Sequence, residues 1–277
     1  MVDYFQRAKF FRTKKRLGQN FLINPDVIAD IIDFAQITQD DVVLEIGPGV
    51  GFVTEQLVKH AKKVIAIELD EEAIAELQKL DADNLEIIHS DILKTDISSL
   101  CDENIKVVAN IPYYITSPII AHLLGEIDDL ENKNRDKIVD IILMVQEEVA
   151  RRIVATEQSA AKQYGLLTIL SQFWADCSII RLVGRKSFYP APKVNSALVS
   201  MKVRKKPLLE LGDYKHFKKT IKAAFSQRRK TLKNCLVGAG FDKEKVARVI
   251  SEMGLDENIR GEKLSIAQLG ELSERLI

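Results

Sequence analysis

The chain has 277 residues, of which 46% are hydrophobic and 29% charged, and 40 basic and 40 acidic residues give a formal net charge of zero. This length allows one large domain or two modest ones, and the composition is that of a soluble globular protein. No apolar stretch approaches the ~18–20 residues of a membrane span, the first residues lack a secretory signal, and three scattered cysteines form neither a metal-ligand pattern nor a disulfide framework. We therefore expect a cytoplasmic protein without a metal site.

The charges are unevenly distributed along the chain. A basic N-terminal arm contains one acid, Asp3, among six cations, which are Arg7, Lys9, Arg12, Lys14, Lys15 and Arg16. A second basic block runs from 204 to 233, and the segment 68–86 is acidic. Opposite charge poles are consistent with a polyanion held at one face, although either basic block alone is better explained by a solvated surface.

The arm leads through Leu17-Gly18-Gln19-Asn20-Phe21-Leu22 to a predicted helix with Asn24 as N-cap and Pro25 at its first position. Gln19 and Asn20 stand between apolar neighbours. Taken alone, they either contact a ligand or satisfy the backbone of the loop.

A strand–loop–helix unit follows. The apolar run 42–46 predicts a buried strand, and Gly47-Pro48-Gly49-Val50-Gly51 comes directly after it. The G-x-G-x-G spacing differs from the G-x-G-x-x-G that cradles a dinucleotide pyrophosphate, which favours S-adenosylmethionine over NAD or FAD. A second predicted strand, 63–68, ends in Glu68, about twenty residues beyond the loop, where a carboxylate accepts both ribose hydroxyls. The alternative for Glu68 is a surface acid in a run of acids.

Polar residues also follow the next two predicted strands. Asp91 lies just beyond the strand 85–89 and is a candidate acceptor for an adenine amino group, whereas His89 has no catalytic companion and is interpreted as structural. The strand 105–109 is followed by Asn110-Ile111-Pro112-Tyr113. Here a side-chain carbonyl, a backbone carbonyl and an aromatic face suit the exocyclic amine of a nucleobase. The alternative is a strand-ending turn with an Asn cap and a buried Tyr.

The remaining pattern predicts helices at 117–124, 146–155 and 164–174, a charged loop at 126–136, and strands at 139–144, 178–183 and 196–203. It indicates a mostly parallel, doubly wound, Rossmann-like α/β sheet with a late antiparallel hairpin. The loop Phe188-Tyr189-Pro190-Ala191-Pro192-Lys193-Val194 is stiffened by prolines, so Phe188 either closes on a base opposite Tyr113 or is simply buried. Short helices from 207 onward, one with a basic face at 227–234, predict a small all-α domain. The expected division is 1–206 and 207–277.

Taken together, these segments resemble the ribosomal small-subunit RNA adenine dimethyltransferases over essentially the whole chain. The resemblance rests on the motifs at 17–22, 45–51, 110–113 and 188–194, on Phe225-Ser226-Gln227-Arg228-Arg229-Lys230, and on Glu68 and Asp91. Tyr114 departs from the family pattern, which often has Asn there.

The resemblance implies dimethylation of N6 on two adjacent adenosines near the 3′ end of 16S rRNA, in an immature 30S subunit, by a monomer that uses S-adenosylmethionine. It implies a cofactor pocket lined by Asn20, Leu22, Gly47, Gly49, Glu68, Asp91 and Asn110. It implies catalytic roles for Asn110, Ile111, Pro112, Tyr113 and Phe188. It also implies RNA binding by Arg228, Arg229 and Lys230.

Three other functions would be accompanied by different residues or would not require the residues present. A large-subunit adenine methyltransferase conferring antibiotic resistance usually has Ser in place of Pro48 and lacks the Gln227-Arg228-Arg229-Lys230 pattern. A DNA adenine methyltransferase more often has Asp at position 110. A non-catalytic ribosome assembly factor would not need Glu68, Asp91 and Asn110 intact.

Overall fold

The structure is a computed structural model that describes residues 3–14, 17–160 and 162–277, so the predictions on Lys15 and Arg16 lie outside the described residues. The chain divides into two compact units. Unit 1 comprises Met1–Gly125, Glu131–Ala150 and Asp176–Lys205, and unit 2 comprises Glu126–Leu130, Arg151–Ala175 and Lys206–Ile277. The last segment of unit 2 begins next to the predicted boundary, and two earlier segments join it. That residues 207–277 act as a domain stays a prediction.

The helices are, in chain order, α1 Tyr4–Phe10, α2 Pro25–Phe34, α3 Thr54–His60, α4 Glu71–Leu77, α5 Thr116–Leu124, α6 Lys133–Lys137, α7 Glu147–Ile153, α8 Leu166–Trp174, α9 Tyr214–Ala224, α10 Leu232–Gly238, α11 Lys243–Glu252 and α12 Ile266–Leu276. The strands are β1 Phe21–Leu22, β2 Val42–Ile46, β3 Lys63–Glu68, β4 Leu85–His89, β5 Ile105–Asn110, β6 Ile138–Gln146, β7 Ala175–Val183, β8 Phe188–Tyr189 and β9 Ser196–Val203. None of the helices in the described part of the chain is long and apolar enough to cross a membrane.

Seven strands form one sheet in unit 1, in the order β4-β3-β2-β5-β6-β9-β7. The first five run parallel, and β9 pairs antiparallel with β6. This confirms the predicted Rossmann-like sheet. The strand order reverses between β2 and β5, and in open α/β sheets the crevice at the carboxyl ends of such strands is where ligands bind.

Local sequence signals explain why these elements form where they do. Asn24 caps α2 by accepting from the backbone N–H of Asp26 at 3.0 Å, and Pro25 occupies the first turn as predicted. α5 ends at Gly125, whose φ of +75° suits glycine. The strand β2 is buried along its whole length, which matches its continuous apolar run.

Two predicted elements differ from the structure. Part of the predicted loop 126–136 is helical, because Asn132 accepts from the backbone N–H of Arg135 at 2.8 Å and starts α6. The basic face predicted at 227–234 is not one helix. Thr231 caps α10 and sets its start at the following residue, so Gln227–Lys230 form an exposed turn before the helix begins.

The basic arm packs on the apolar core of unit 1. Tyr4 and Ala8 of α1 are buried, and the Tyr4 ring lies 4.8 Å from that of Phe52, just beyond the glycine loop. The Arg7 guanidinium pairs with Glu55 at 2.5 Å and lies over the Phe52 ring. Part of the arm's positive charge is therefore paired with an acidic side chain of the protein itself.

Unit 2 has its own apolar core. The rings of Phe173 and Phe217 are fully buried with centroids 5.7 Å apart, and Leu232, Val246 and Leu269 are buried as well. The α12 helix begins with the predicted capping box, in which Ser265 and Gln268 bond reciprocally.

Candidate active site

The register of the parallel strands gathers the predicted site residues at one edge of the sheet. Ile46 of β2 pairs with Ala109 of β5 on one side and with Ile67 of β3 on the other. The next residues along these strands are Gly47, Asn110 and Glu68, so they lie side by side. Asp91 follows β4 two residues later. One cavity is lined by all the predicted cofactor residues and by the whole turn 110–113.

The glycine loop needs its glycines for two different reasons. Gly47 (φ +65°) faces open space, since none of the described heavy atoms lies within 4 Å of where a Cβ would stand. Gly49 (φ +58°) faces the Phe21 ring, and a Cβ there would lie 2.7 Å from Phe21 Cε1. Gly47 thus leaves room for a ligand, whereas Gly49 lets the loop approach β1.

We expect Gly49→Ala to destabilise the protein by about 1–3 kcal/mol. The alanine would have to adopt a left-handed φ, which is strained for a non-glycine residue, and its Cβ would be overpacked against the Phe21 ring. Gly47→Ala, the matched control, carries the φ penalty alone and should lose less. Urea unfolding of both variants measures the difference. Equal losses would show that the Phe21 contact has no energetic role.

Glu68 is held by backbone donors. Its Oε1 accepts from the N–H groups of Leu69 and Asp70 at 2.8 and 2.9 Å, and its Oε2 accepts from Gly49 at 2.9 Å. A carboxylate offers about four acceptor positions, so three bonds orient the group and leave one position on Oε2 for a ligand hydroxyl. Asp91 is similarly oriented, because its Oδ1 accepts from Leu93 N–H at 3.1 Å.

A second carboxyl group, Glu45, lies buried beneath the loop, and the sequence reasoning gave it no role of its own. It accepts from the Thr54 hydroxyl at 2.6 Å, and both side chains are buried. Burial raises the pKa of Glu45 to about 8; the Thr54 hydrogen bond opposes this, and the charge of Glu68 adds to it. Its signal in the sequence is a charged residue inside the apolar run of β2.

This raised pKa predicts a pH-dependent stability. Between the ordinary value of 4.5 and about 8, the folded state binds a proton at Glu45 that the unfolded state has released, so the free energy of unfolding falls as pH rises through this window. Glu45→Gln stays neutral and should therefore be stabilised relative to the parent more at pH 8 than at pH 5. Urea unfolding at both values, with the surface variant Glu86→Gln as control, measures this; a pH-independent difference contradicts it.

The orientation of the Asn110 amide is set by a contact with the loop 17–22. Asn110 Nδ2 donates to the backbone carbonyl of Asn20 at 3.0 Å, which directs Oδ1 the other way. Among the residues that the structure describes, no donor is found for Asn110 Oδ1. The side chain of Ile111 is buried, and the residue lines the same cavity. The Asn110 side-chain oxygen and the Ile111 backbone carbonyl therefore belong to neighbouring residues of this edge.

Tyr113 is fixed by a partner far along the chain. Its hydroxyl lies 2.6 Å from the hydroxyl of Ser196, the first residue of β9. Burial raises the pKa of Tyr113, and the bond to Ser196 opposes that shift. Ser196 was missed by the sequence analysis, because a serine at the start of a strand carries no signal for such a contact.

The loop 17–22 is held in place by Asp70, which the sequence analysis also missed. Gln19 Nε2 donates to Asp70 Oδ2 at 2.7 Å, and Lys14 Nζ pairs with Asp70 Oδ1 at 2.6 Å. Although burial acts to raise the pKa of Asp70, the hydrogen bonds from Lys14 and Gln19 hold it below its usual value. Gln19 therefore supports the loop, and Asp70 links the basic arm to the turn after Glu68.

Phe188 is placed differently from the other predicted residues. It is 2% exposed, pairs with Leu22 in the small sheet β1–β8, and belongs to the apolar core. It is not among the described residues that line the cavity. Its role as a second stacking aromatic stays a prediction. Arg228, Arg229 and Lys230 are exposed together in the turn before α10 of unit 2.

The residues present suit S-adenosylmethionine. Glu68 and Asp91 line one cavity as oriented carboxylates of the kind that ribose hydroxyls and an adenine amine would need as acceptors, and the open space at Gly47 is a cradle that a Cβ would fill. Glu68, Asp91, Gly47 and Asn20 are the residues that would hold it. Among the described residues, no group of three or more His, Cys, Asp or Glu side chains is placed to hold a metal ion.

The chain is similar to known methyltransferases in sequence. The family model described as ribosomal RNA adenine dimethylase matches residues 10–277. The ribosomal RNA small subunit methyltransferase A of Clostridium acetobutylicum is 41% identical over 270 residues, covering 96% of this chain and 94% of that protein. The protein of the same name from Bacillus licheniformis is 41% identical over 278 residues, covering 96% and 92%.

Two solved structures extend the comparison. A dimethyladenosine transferase from Plasmodium falciparum has a TM-score of 0.74 and 28% identity, covering 90% of this chain and 94% of that one. The 23S rRNA methyltransferase ErmE has a TM-score of 0.70 and 27% identity, covering 93% and 99%. The matched sequence and the fold agree, and the chain belongs to the ribosomal RNA adenine dimethylase family of methyltransferases.

Proposed function

We propose that this protein transfers methyl groups from S-adenosylmethionine to N6 of two adjacent adenosines near the 3′ end of 16S rRNA, in an immature 30S subunit. The observation that carries the proposal is the orientation of Asn110. Its amide nitrogen donates to the Asn20 carbonyl, which leaves Oδ1 as the side-chain atom available to accept, and both Asn110 and Ile111 line the cavity. Both acceptors lie at the sheet edge that also carries Glu68 and Asp91.

The two acceptors address the weakness of the nucleophile. The N6 amine of adenine is poorly nucleophilic because its lone pair is delocalised into the ring. In the first transfer, hydrogen bonds from its two N–H groups to Asn110 Oδ1 and the Ile111 carbonyl favour tetrahedral nitrogen and stabilise the positive charge that develops there. In the second transfer, the one remaining N–H makes one of these bonds. Holding the reacting atoms at ~3–3.5 Å removes several kcal/mol more of the barrier.

The other residues position the two reactants. When bound, S-adenosylmethionine supplies an electrophilic methyl group on a sulfonium. Glu68 would orient its ribose and Asp91 its adenine amine, while Tyr113, fixed by Ser196, offers a ring on which the extruded base stacks. Once N6 is alkylated, its N–H proton is acidic and leaves after the transfer. No base is therefore needed to remove a proton beforehand.

Small-subunit rRNA is favoured over the alternatives for two reasons. The relatives at 41% identity are named small-subunit methyltransferases, whereas the 23S enzyme is 27% identical. The chain also has the exposed turn Gln227–Lys230, whose three cations suit RNA phosphates. We also propose that the protein works in the cytoplasm as a monomer, because the predicted cofactor and amine sites are all built from one chain.

The test is incubation of the full chain with labelled S-adenosylmethionine and 30S particles from a strain lacking this modification, followed by mapping of the labelled bases. We expect N6,N6-dimethyladenosine at two adjacent positions of 16S rRNA. Fully modified 30S particles and 50S particles are the controls. Label confined to 23S rRNA, or binding of particles without any transfer, would overturn the proposal.

A further inference from the structure

Tyr114 is an exposed aromatic at the mouth of the active-site cavity. Its side chain is 63% exposed, yet the residue lines the same cavity as Asn110 and Tyr113. Tyr113 and Tyr114 belong to a short 3-10 helix, Tyr113–Ile115, in which successive side chains point about 120° apart. Because Tyr113 is tied to Ser196, Tyr114 points in another direction, toward solvent at the rim.

The Tyr114 ring is supported from behind. Gly18 has φ +61°, and a Cβ on it would stand 3.2 Å from Tyr114 Cε1 and 3.3 Å from Pro112 Cβ. The ring edge therefore rests against the backbone of the loop 17–22 and beside a proline. A ring already restricted in this way loses little conformational entropy when something stacks on its open face.

The geometry of an extruded nucleotide identifies what reaches that face. A base drawn into the cavity leaves its stack, but its neighbours remain joined to it by phosphodiester bonds and must cross the cavity mouth. We propose that Tyr114 is a substrate-binding residue that stacks on the nucleobase flanking the target adenosine. This inference rests on the proposed function. When the flanking nucleotide is the second target adenosine, the base that stacks on Tyr114 is a purine.

The direct test uses a fluorescent base as the probe. A fragment of the 3′ end of 16S rRNA carries 2-aminopurine on the 5′ side of the target adenosine, and a second fragment carries it on the 3′ side. Each is titrated with the full chain plus S-adenosylhomocysteine, which cannot donate a methyl group. We expect quenching in at least one fragment with the parent protein and with Tyr114→Phe, and loss of that quenching with Tyr114→Ala.

Affinity gives an independent measure. Stacking on an aromatic ring contributes enough that Tyr114→Ala should weaken fragment binding by roughly 5- to 150-fold. An abasic nucleotide at the flanking position should remove this difference between the parent and Tyr114→Ala. Phe34→Ala, which truncates another exposed aromatic of unit 1 that is outside the cavity lining, should bind like the parent.

The outcomes separate this inference from the proposed function. If the parent methylates 30S particles but Tyr114→Ala binds and quenches as the parent does, the stacking role is wrong and the function stands. Absence of quenching with the parent protein in both fragments overturns the inference as well. If the parent transfers no methyl group to 30S particles, the proposed function fails whatever the fluorescence shows.

Discussion

Replacing Asn110 with alanine is expected to reduce methyl transfer to adenosine by about 10²- to 10³-fold, the loss typical when one preorganised transition-state partner is removed. Binding of S-adenosylmethionine should change only a few-fold, because Glu68 and Asp91 keep their backbone bonds. Single-turnover kinetics with unmethylated 30S particles and calorimetric titration of the cofactor measure the two effects separately.

Two further variants sharpen this prediction. Asn110→Asp keeps an acceptor oxygen but loses the N–H that binds the Asn20 carbonyl, so it should fall between the parent and alanine. Asn134→Ala is the matched control, since Asn134 also makes side-chain bonds to backbone in unit 1 but is outside the lining of the site. Unchanged turnover in Asn110→Ala would remove Asn110 from the mechanism.

Neutralising Arg228, Arg229 and Lys230 together is expected to weaken binding of rRNA by about 100-fold at ~0.1 M salt, because each phosphate contact on single-stranded RNA contributes about 0.7 to the salt slope. The slope of log affinity against log salt should become shallower by about 2. Affinity for S-adenosylmethionine should not change, since all the predicted cofactor residues belong to unit 1.

This experiment must distinguish the effect of losing three positive charges from the effect of where those charges lie. A variant in which Lys215, Lys222 and Lys243 are changed to Gln loses the same charge from exposed positions of unit 2. We expect its RNA affinity to fall much less, because these lysines are dispersed over α9 and α11. Equal loss in the two triple variants, or a parallel loss of cofactor affinity, would argue against a dedicated RNA-binding turn.

Much of the fold could be predicted because its signals are local. The strands β2, β3 and β4 have the bounds that the sequence predicts, and the N-cap Asn24 marks the start of α2. The polar residues predicted to follow the strands do lie at one edge of the sheet, since parallel strands bring their carboxyl ends together. That they bind a ligand stays a prediction. Short helices such as α6 were not predicted, because the residue that caps α6 lies inside a charged segment.

The contacts that orient the site could not be predicted in this way. The Tyr113 hydroxyl meets Ser196 across 83 residues, and Gln19 meets Asp70 across 51. Nothing within a few residues of either side chain indicates its partner. Phe188 shows the same limit, because the proline spacing left open whether its ring closes on a base or is buried. The pairing of β8 with β1 places the ring in the core opposite Leu22.

The sequence by itself determined the class of the sheet, the identity of the polar residues at its carboxyl edge and, through its motifs, the family. Local propensity, apolar periodicity and turn chemistry act over a few residues, so they can be read along the chain. Only the tertiary structure decided that the Asn110 amide nitrogen bonds to the Asn20 carbonyl, which acids are already bonded to backbone, and which aromatic is left exposed at the cavity mouth. Those properties depend on the register of strands and on contacts between distant segments, which are set when the whole core packs.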